Sequence, residues 1–310
     1  MKIAVLGAGG GLGRNVVDAG LAAGHDVVAL VRDAAKAQLP PAVTTVLGDA
    51  ANVDDLVRAM TGADATMFCV NPALATWLTA FPPLLDAAIE GARRSGTRLL
   101  FPANVWVFGP GRAGDLVDER RAASPTSQRG AMRATLEQRL RTAGIRHAVV
   151  RLPEFYGPSV VTLTAYPFRA ALAGKRAMWP GKLDAQVELV YMPDAGKALV
   201  AVGTAADGDG EVFHLSGART TPRQFIERVF AAAGAKPRAF GVPRFALAAA
   251  GLFDRTIRAV ADIGHLWTAP ILLDGAKYRA RFGGLPLTSL DEAVAATMAW
   301  HRARPDLTLQ

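Results

Sequence analysis

The stretch Met1–Asp33, MKIAVLGAGGGLGRNVVDAGLAAGHDVVALVRD, decides the fold. Ile3 to Leu6 form a short continuous apolar run, as expected of a strand buried on both faces of a parallel sheet. A glycine-dense turn follows at once, Gly7-Ala8-Gly9-Gly10-Gly11-Leu12-Gly13, and Arg14 to Ala23 read as a helix. Gly24-His25-Asp26 then turn the chain into a second apolar strand, Val27 to Val31. This order is a βαβ unit with its glycine loop where a dinucleotide lies.

Each glycine has a physical task. Gly7 turns the chain tightly at the strand end, Gly10 lets the backbone approach a pyrophosphate, and Gly13 lets the helix pack close to the strand. The spacing is Gly7-x-x-Gly10-x-x-Gly13, and Gly7-x-Gly9 fits the more general dinucleotide pattern. The free N–H groups and positive dipole end of the new helix face the phosphates. Gly7, Gly9, Gly10, Gly11, Leu12 and Gly13 are therefore the candidate cradle. Arg32 stands just past the second strand, where the adenine ribose belongs. An acidic residue there accepts the ribose 2′-OH, whereas an arginine suits the 2′-phosphate of NADP. Asp33 follows immediately and would do the acidic job if the strand ended one residue later. The balance favours NADP over NAD. Arg14, in the first helical turn, is either a second positive charge near that phosphate or a solvated helix residue.

The full 310-residue sequence bounds this reading. It is long enough for one large domain, or a large one with a smaller partner. With 51% hydrophobic and 20% charged residues it has the composition of a well-packed globular protein. The N-terminus opens on a strand and not on a charged segment with a cleavage site, and Phe245 to Phe253 is too short to span a bilayer. A cytoplasmic protein without a membrane partner is expected. Cys69, the single cysteine, lies in the apolar run Ala65 to Val70 and reads as a small buried hydrophobe. The net charge of +8 comes from arginines scattered over many segments, so no nucleic-acid partner is expected. A basic cleft attracting an anionic cofactor explains the charge.

Along the chain, Thr44 to Leu47 read as a third strand, and Asn52 as the cap of a helix reaching Met60. Ala65 to Val70 is a fourth strand ending at Asn71-Pro72. A helix from about Phe81 to Ser95 carries Pro82 and Pro83 near its start. Arg98 to Pro102 is strand five; a helix from about Ser127 to Ala143 feeds strand six, Ala148 to Leu152. Strand and helix alternating at this spacing imply an α/β fold, a doubly wound parallel Rossmann-type sheet with all ligand-facing strand ends on one side. After Pro153 the pattern loosens. Leu163 to Gly174 reads as helical, and Val187 to Met192 and Val212 to Leu215 as late strands returning to the sheet. Thr221 to Ala233 reads as an amphipathic helix, and joints at 237–243 and 283–286 frame a mostly helical C-terminal part. The expected division is a nucleotide-binding domain over 1–155, joined by the late strands of about 187–216. A substrate-covering subdomain then comprises 156–186 and 217–310.

These motifs resemble the extended and atypical short-chain dehydrogenase/reductase superfamily, in its NAD(P)-dependent epimerase/dehydratase branch. The resemblance rests on the Gly7/Gly10/Gly13 loop, Gly48-Asp49, Arg151-Leu152-Pro153-Glu154-Phe155-Tyr156-Gly157-Pro158 and Tyr191-Met192-Pro193-Asp194-Ala195-Gly196-Lys197-Ala198. It also takes in the closing segment Leu285-Pro286-Leu287-Thr288-Ser289-Leu290-Asp291-Glu292 through Trp300. It implies that Asp49 and the Ala50 backbone face the adenine, that Asn71 and Pro72 flank the ribose and pyrophosphate, and that Pro153 lies by the nicotinamide. A homodimer through a helix pair is common in this superfamily and is the oligomer implied.

The chain departs from the resemblance where chemistry is done. The superfamily's reductive step uses a Tyr-x-x-x-Lys pair on the fifth helix and a Ser or Thr after the fifth strand. With Glu137 as anchor, Arg133 falls at the lysine and Arg129 at the tyrosine, while Ala103-Asn104 replace the hydroxyls. Arg133 can hold a ribose diol but cannot serve as an acid. Asn104 either hydrogen-bonds a substrate carbonyl or caps its loop. Thr126 and Ser127 read as helix caps. Tyr156 and Glu154 are the substitutes for the missing proton donor, with Tyr156 alternatively a ring packed beneath the loop. His147 and His214 read as core or rim residues, and no His/Cys/carboxylate cluster has metal-ligand spacing. The expected function is an NADP-dependent oxidoreductase acting on a small organic substrate through a non-standard proton donor. The alternatives are an NADP-binding protein of the same fold with reduced catalysis, and an epimerase or isomerase using bound cofactor.

Overall fold

A computed structural model describes residues 1–112, 114–283 and 287–306. Its centre is a seven-stranded sheet: β1 (Lys2–Leu6), β2 (Asp26–Val31), β3 (Thr44–Leu47), β4 (Ala65–Phe68), β5 (Arg98–Asn104), β7 (His147–Leu152) and β11 (Val212–His214). β6 (Leu116–Val117) lies apart, paired with β14 (Leu272–Leu273). The central order is β11-β7-β5-β4-β1-β2-β3, and every neighbouring pair is parallel. Order reverses between β1 and β4, and at such a switch point the two βα loops diverge and open a crevice.

Helices cover both faces because the strands are apolar on both. On one side α1 (Gly11–Ala22) and α7 (Met192–Thr204) pack Val16, Val17, Ala195 and Leu199 onto Ile3, Val5 and Met67. On the other, α3 (Val53–Met60), α4 (Trp77–Ser95) and α5 (Gln128–Thr142) bring Leu56, Leu85 and Leu136 against Leu6, Phe68 and Phe101. α2 (Ala34–Ala37) is a single turn beside the end of β2. Asn52 caps α3, accepting from the Asp54 and Asp55 amides, and Ser127 caps α5 by accepting from Gly130. α4 begins a turn earlier than its prolines suggest: Trp77 is buried and its indole donates to the Pro72 carbonyl at 2.9 Å. Pro82 and Pro83 therefore stand inside the helix, where each forfeits one backbone bond.

The second half builds a separate core. β8 (Glu154–Tyr156), β10 (Val187–Tyr191) and β12 (Ala218–Thr220) make a three-stranded sheet, and β9 (Ala177–Pro180) pairs with β13 (Ala239–Val242). This corrects one expectation. Val212–His214 does return to the central sheet, but Val187–Tyr191 pairs with Glu154–Tyr156 and Ala218–Thr220 instead. The parallel pairing of β8 with β10 diverts it. Around these strands α6 (Tyr166–Leu172), α8 (Pro222–Ala233) and α12 (Leu290–Arg302) enclose Phe168, Trp179, Phe225 and Phe230. Leu163–Ala165, at the start of the stretch read as one helix, is a 3₁₀ turn. α9 (Arg244–Ala250) and α10 (Arg255–Asp262) follow, whereas α11 (Ala276–Phe282) returns Tyr278 to the central core. Leu285 and Pro286 of the closing motif lie outside the described residues, but Thr288 is seen bonding the fully buried Asp194 through its amide (2.8 Å) and hydroxyl (3.0 Å). Among the described residues, no helix is long and apolar enough to cross a membrane.

A buried ion pair ties the segment after β5 to the sheet. Arg151 donates to Glu137 at 2.7 Å and, from its other terminal nitrogen, to His214 Nε2 at 3.2 Å. Arginine has no acceptor, so Nε2 accepts and Nδ1–H donates to the Val117 carbonyl at 2.9 Å. Burial, with Arg151 adding to it, holds the His214 pKa below the ordinary histidine value. Glu137→Ala would strand a buried guanidinium. We expect a loss of about 3–5 kcal/mol of stability, read as a lowered urea midpoint; an unchanged midpoint would show the pair to be dispensable.

Candidate active site

The crevice is floored by the loop between β1 and α1. Gly7 adopts φ +77°, and a Cβ there would lie 2.8 Å from the Cys69 carbonyl oxygen on the neighbouring strand. A Cβ on Gly13 would collide with the Gly7 carbonyl and lie 2.8 Å from Ala8 Cα, so helix and strand touch backbone to backbone. Gly10 closes the turn, its amide donating to the Gly7 carbonyl at 3.0 Å. It then caps α1 with no side chain, and the first turn holds no acidic residue. The opening amides of α1, at Gly11, Leu12 and Gly13, are thus left facing the crevice with no cap of their own, an arrangement that suits an anion. The turn Gly157–Val160 closes over them: a Cβ on Gly11 would lie 2.5 Å from the Ser159 carbonyl. Ser159 itself holds the left-handed conformation at φ +67°. Nothing in the sequence marks Ser159 beyond its place after Gly157-Pro158.

Charge is arranged beside this cradle. Arg32 is exposed at the end of β2 and forms no hydrogen bond or ion pair among the described residues. Asp33 is spent locally, accepting from the Lys36 amide at 3.1 Å as the cap of α2. Arg14 is not a solvated helix residue, because its guanidinium donates to the Ala37 and Gln38 carbonyls and holds α2 against the glycine loop. Gly9 sits at ordinary contact from that turn, its would-be Cβ 3.5 Å from Ala37 Cβ. Farther along, Asp49 is exposed past β3, accepts from the Ala51 amide at 2.9 Å and donates its own amide to Asp55 at 2.8 Å, fixing the Gly48–Ala51 turn that carries Ala50. That amide is the first cause, with Arg58, of the low pKa of Asp55. Asn71 is exposed at the end of β4, and Pro72 is pinned through its carbonyl by Trp77.

Arg129 and Arg133, which the resemblance sets at the tyrosine and lysine, carry structure. Arg129 is buried; it donates to the Leu74 carbonyl (3.3 and 3.2 Å) and to Asp262 (3.2 Å), which also accepts from the Gln128 and Arg129 amides. It clamps α10 and the Leu74–Thr76 turn together across the crevice. Arg133 is only 3% exposed, donates to the Pro102 carbonyl at 2.6 Å, and lies 4.7 to 5.6 Å from the Phe101, Phe81 and Trp77 ring centroids. Burial lowers its pKa to about 10, which leaves it charged at neutral pH. Where the resemblance implied a ribose contact, the structure shows the guanidinium enclosed by these rings and bonded to the Pro102 carbonyl. Asn104 takes its capping role, its side-chain oxygen accepting from the Trp106 amide at 3.1 Å.

The two substitutes for the proton donor separate cleanly. Tyr156 is 1% exposed, with Tyr191 and Phe225 ring centroids 5.6 and 5.5 Å away. Burial, helped by Asp194 and Tyr191, pushes its hydroxyl well above the usual range. Its ring is packed in the core, as the alternative reading had it. Glu154 instead follows Pro153 at the end of β7 and lines a cavity of about 30 Å³ with Val105, Trp106 and Leu266. Its carboxyl makes no hydrogen bond among the described residues, and burial raises its pKa to about 7. Glu188, which sequence reasoning missed, lines the same cavity; burial likewise raises it to about 7, although the Leu273 amide (2.7 Å) and Arg219 (3.3 Å) oppose the rise. Cys69 is buried, with its thiol pushed up to about 12, and so is inert. Among the described residues, no three His, Cys, Asp or Glu side chains gather as a metal site.

Residues 7–157 match the model of a family described as NAD(P)H-binding, so this part of the chain is an NAD(P)-binding domain. No curated protein matches the sequence. The fold is shared with a dTDP-glucose 4,6-dehydratase from Bacillus anthracis in complex with NAD (TM-score 0.83, 16% identity, covering 99% of this chain and 98% of that one). It is also shared with a UDP-glucose 4-epimerase from Thermus thermophilus in complex with NAD (TM-score 0.77, 18% identity, 98% and 100%). A third similar structure is a dTDP-glucose 4,6-dehydratase from Streptomyces venezuelae (TM-score 0.79, 21% identity, 98% and 98%). The architecture of the NAD-dependent epimerases and dehydratases therefore spans the whole chain.

The cradle makes a prediction that separates its glycines. Gly13→Ala should weaken NADPH or NADH binding about tenfold or more by calorimetry, because helix and strand must part. Gly9→Ala, with room for its methyl, should bind within about twofold of the parent. Equal effects would contradict the close-approach account.

Proposed function

We propose, from the NAD(P)-binding domain over residues 7–157, that this protein is an NADP-dependent oxidoreductase acting on a small organic substrate. One observation carries the reading: the uncapped start of α1 is brought against β1 at Gly7 and Gly13, where no side chain fits. The amides of Gly11, Leu12 and Gly13 would hold the pyrophosphate. Arg32 would hold the adenosine 2′-phosphate, Asp49 and Ala50 would border the adenine, and Asn71 and Pro72 would border the ribose. Bound NADPH supplies hydride to the substrate.

The chain must then move a proton, and Glu154 is placed to do so. Its carboxyl lies beside Pro153, at the end of the central sheet where the nicotinamide belongs, and is protonated about half the time near neutral pH. In the reductive direction it would give its proton to the substrate oxygen or nitrogen as the hydride arrives, and regain one from water. Trp106 and Val105 shield that exchange from solvent.

One feature favours a second reading, a nucleotide-binding protein with little turnover. The cavity beside Glu154 has room for about one water and not for an organic substrate. Cofactor oxidation across a panel of aldehydes, ketones, enones and imines separates the two: turnover supports the oxidoreductase, and tight NADPH binding without turnover supports the alternative.

Two expectations follow for the first reading. Arg32→Ala should weaken NADPH about 10- to 100-fold while leaving NADH within about twofold; equal loss for both would remove Arg32 from the phosphate. Because the acid must be protonated, the reductive rate should fall as pH rises through about 7, by about tenfold per unit beyond it. Glu154→Gln should abolish that dependence along with most of the rate; a Glu154→Gln enzyme with the parent's profile would exclude this proton path.

A further inference from the structure

The C-terminal ends of α6 and α12 border an open groove of about 780 Å³ on the lobe remote from the glycine loop. Arg169, Lys175, Arg176 and Arg302 line it, and no aspartate or glutamate does. Two of these cations have evident structural work, since the terminal carbonyls of a helix attract positive charge. Arg169 donates to the Arg304 and Pro305 carbonyls, and Arg302 donates to the Ala232 carbonyl at 3.0 Å. Lys175 and Arg176 are exposed and have no hydrogen-bond or ion-pair partner among the described residues; Arg176 rests 5.1 Å from the Phe240 ring centroid.

At the groove stands His301, which is fully buried and stacked on Phe168 with ring centroids 5.3 Å apart. Neither of its ring nitrogens has a hydrogen-bond partner. Burial, followed by Arg169 and Arg304, lowers its pKa to about 4, so the ring is neutral at physiological pH. A neutral imidazole keeps one N–H, and a buried unpaired donor costs about 1–3 kcal/mol. The two free cations both donate, the His301 N–H is a further unpaired donor, and no carboxylate lines the groove to oppose an anion.

We propose that this groove is a second anion site, distinct from the nucleotide crevice, and that it takes a phosphate group. Lys175 and Arg176 would bind the phosphate oxygens, and His301 would donate its N–H to one of them. Arg169 and Arg302 would hold the two helix ends in place and add to the positive field. A phosphate group can come from a soluble phosphorylated molecule or from a lipid headgroup, and both sources share this chemistry.

The test follows the His301 imidazole by NMR, its signals assigned with His301→Gln, while inorganic pyrophosphate is added to the full-length protein. Saturable shifts are expected, weakened about tenfold or more in the double variant Lys175→Ala/Arg176→Ala. Both substituted residues are exposed, so the core is left intact. In a parallel arm, the two proteins are sedimented with phosphatidylcholine vesicles containing phosphatidic acid. Sedimentation lost in the double variant would assign the phosphate to a lipid, and pyrophosphate shifts without sedimentation would assign it to a soluble molecule. Absence of both responses, or responses equal in parent and double variant, overturns the site.

Discussion

The closeness of α1 to β1 governs this molecule. At Gly7 and Gly13 the two backbones meet with no room for a methyl group, and that contact fixes where the N-terminal amides of the helix point. The central sheet supplies the rigidity behind it, since β1 is bonded on both sides, to β2 and β4. The Gly157–Val160 turn also meets Gly11 through backbone, at the Ser159 carbonyl, and side-chain ties such as Arg129–Asp262 and Thr288–Asp194 add to that contact between the two halves. A preformed cradle of this kind loses little freedom when an anion arrives, which is how backbone amides become an effective phosphate site.

Around the cradle the chain shares the fold of the epimerases and dehydratases it resembles. Arg129 and Arg133, placed by the resemblance at the tyrosine and lysine, are drawn inward: one becomes a clamp between α10 and the Leu74–Thr76 turn, the other a cation boxed by three aromatic rings. Both give rigidity in place of proton chemistry. The only lining carboxyl left without a hydrogen-bonding partner among the described residues is Glu154, whose burial raises its affinity for a proton into the neutral range. Burial acts in the same direction on Glu188, raising its pKa to about 7 against the Leu273 amide and Arg219, which lower it. Partnering distinguishes the two: Glu188 is held by Arg219 and the Leu273 amide, so its role is to join β10 to β12 and β14, while Glu154 is unheld.

Much of this was legible in the sequence, and the limits of legibility have physical causes. The glycine spacing, the alternating strands and helices, and the caps at Asn52 and Ser127 are local signals, and they specify the central sheet because its strands are apolar on both faces. The buried inertness of Cys69 and the core placement of His214 were also readable from their neighbours. Pairing partners were not. Val187–Tyr191 has the pattern of a strand wherever it joins, and only the fold assigns it to Glu154–Tyr156. The roles of Arg129, Arg133 and Glu188 escaped for the same reason, since each depends on contacts from distant segments: Asp262, Phe81 and Leu273. Tyr156 and Glu154 looked equivalent two residues apart, where a strand puts both on one face; what distinguishes them is what distant segments pack there, Tyr191 and Phe225 against Tyr156 and a cavity beside Glu154.

The central claim is that a dinucleotide's phosphates rest on the opening amides of α1. It is tested most directly by following the backbone ¹H–¹⁵N signals of Gly11, Leu12 and Gly13 while NADPH is added to the nucleotide-free protein. The account predicts that these three shift saturably and together, with Arg32 responding to NADPH and not to NADH. Binding that leaves the three amides unmoved, or no response to either nucleotide, would contradict it.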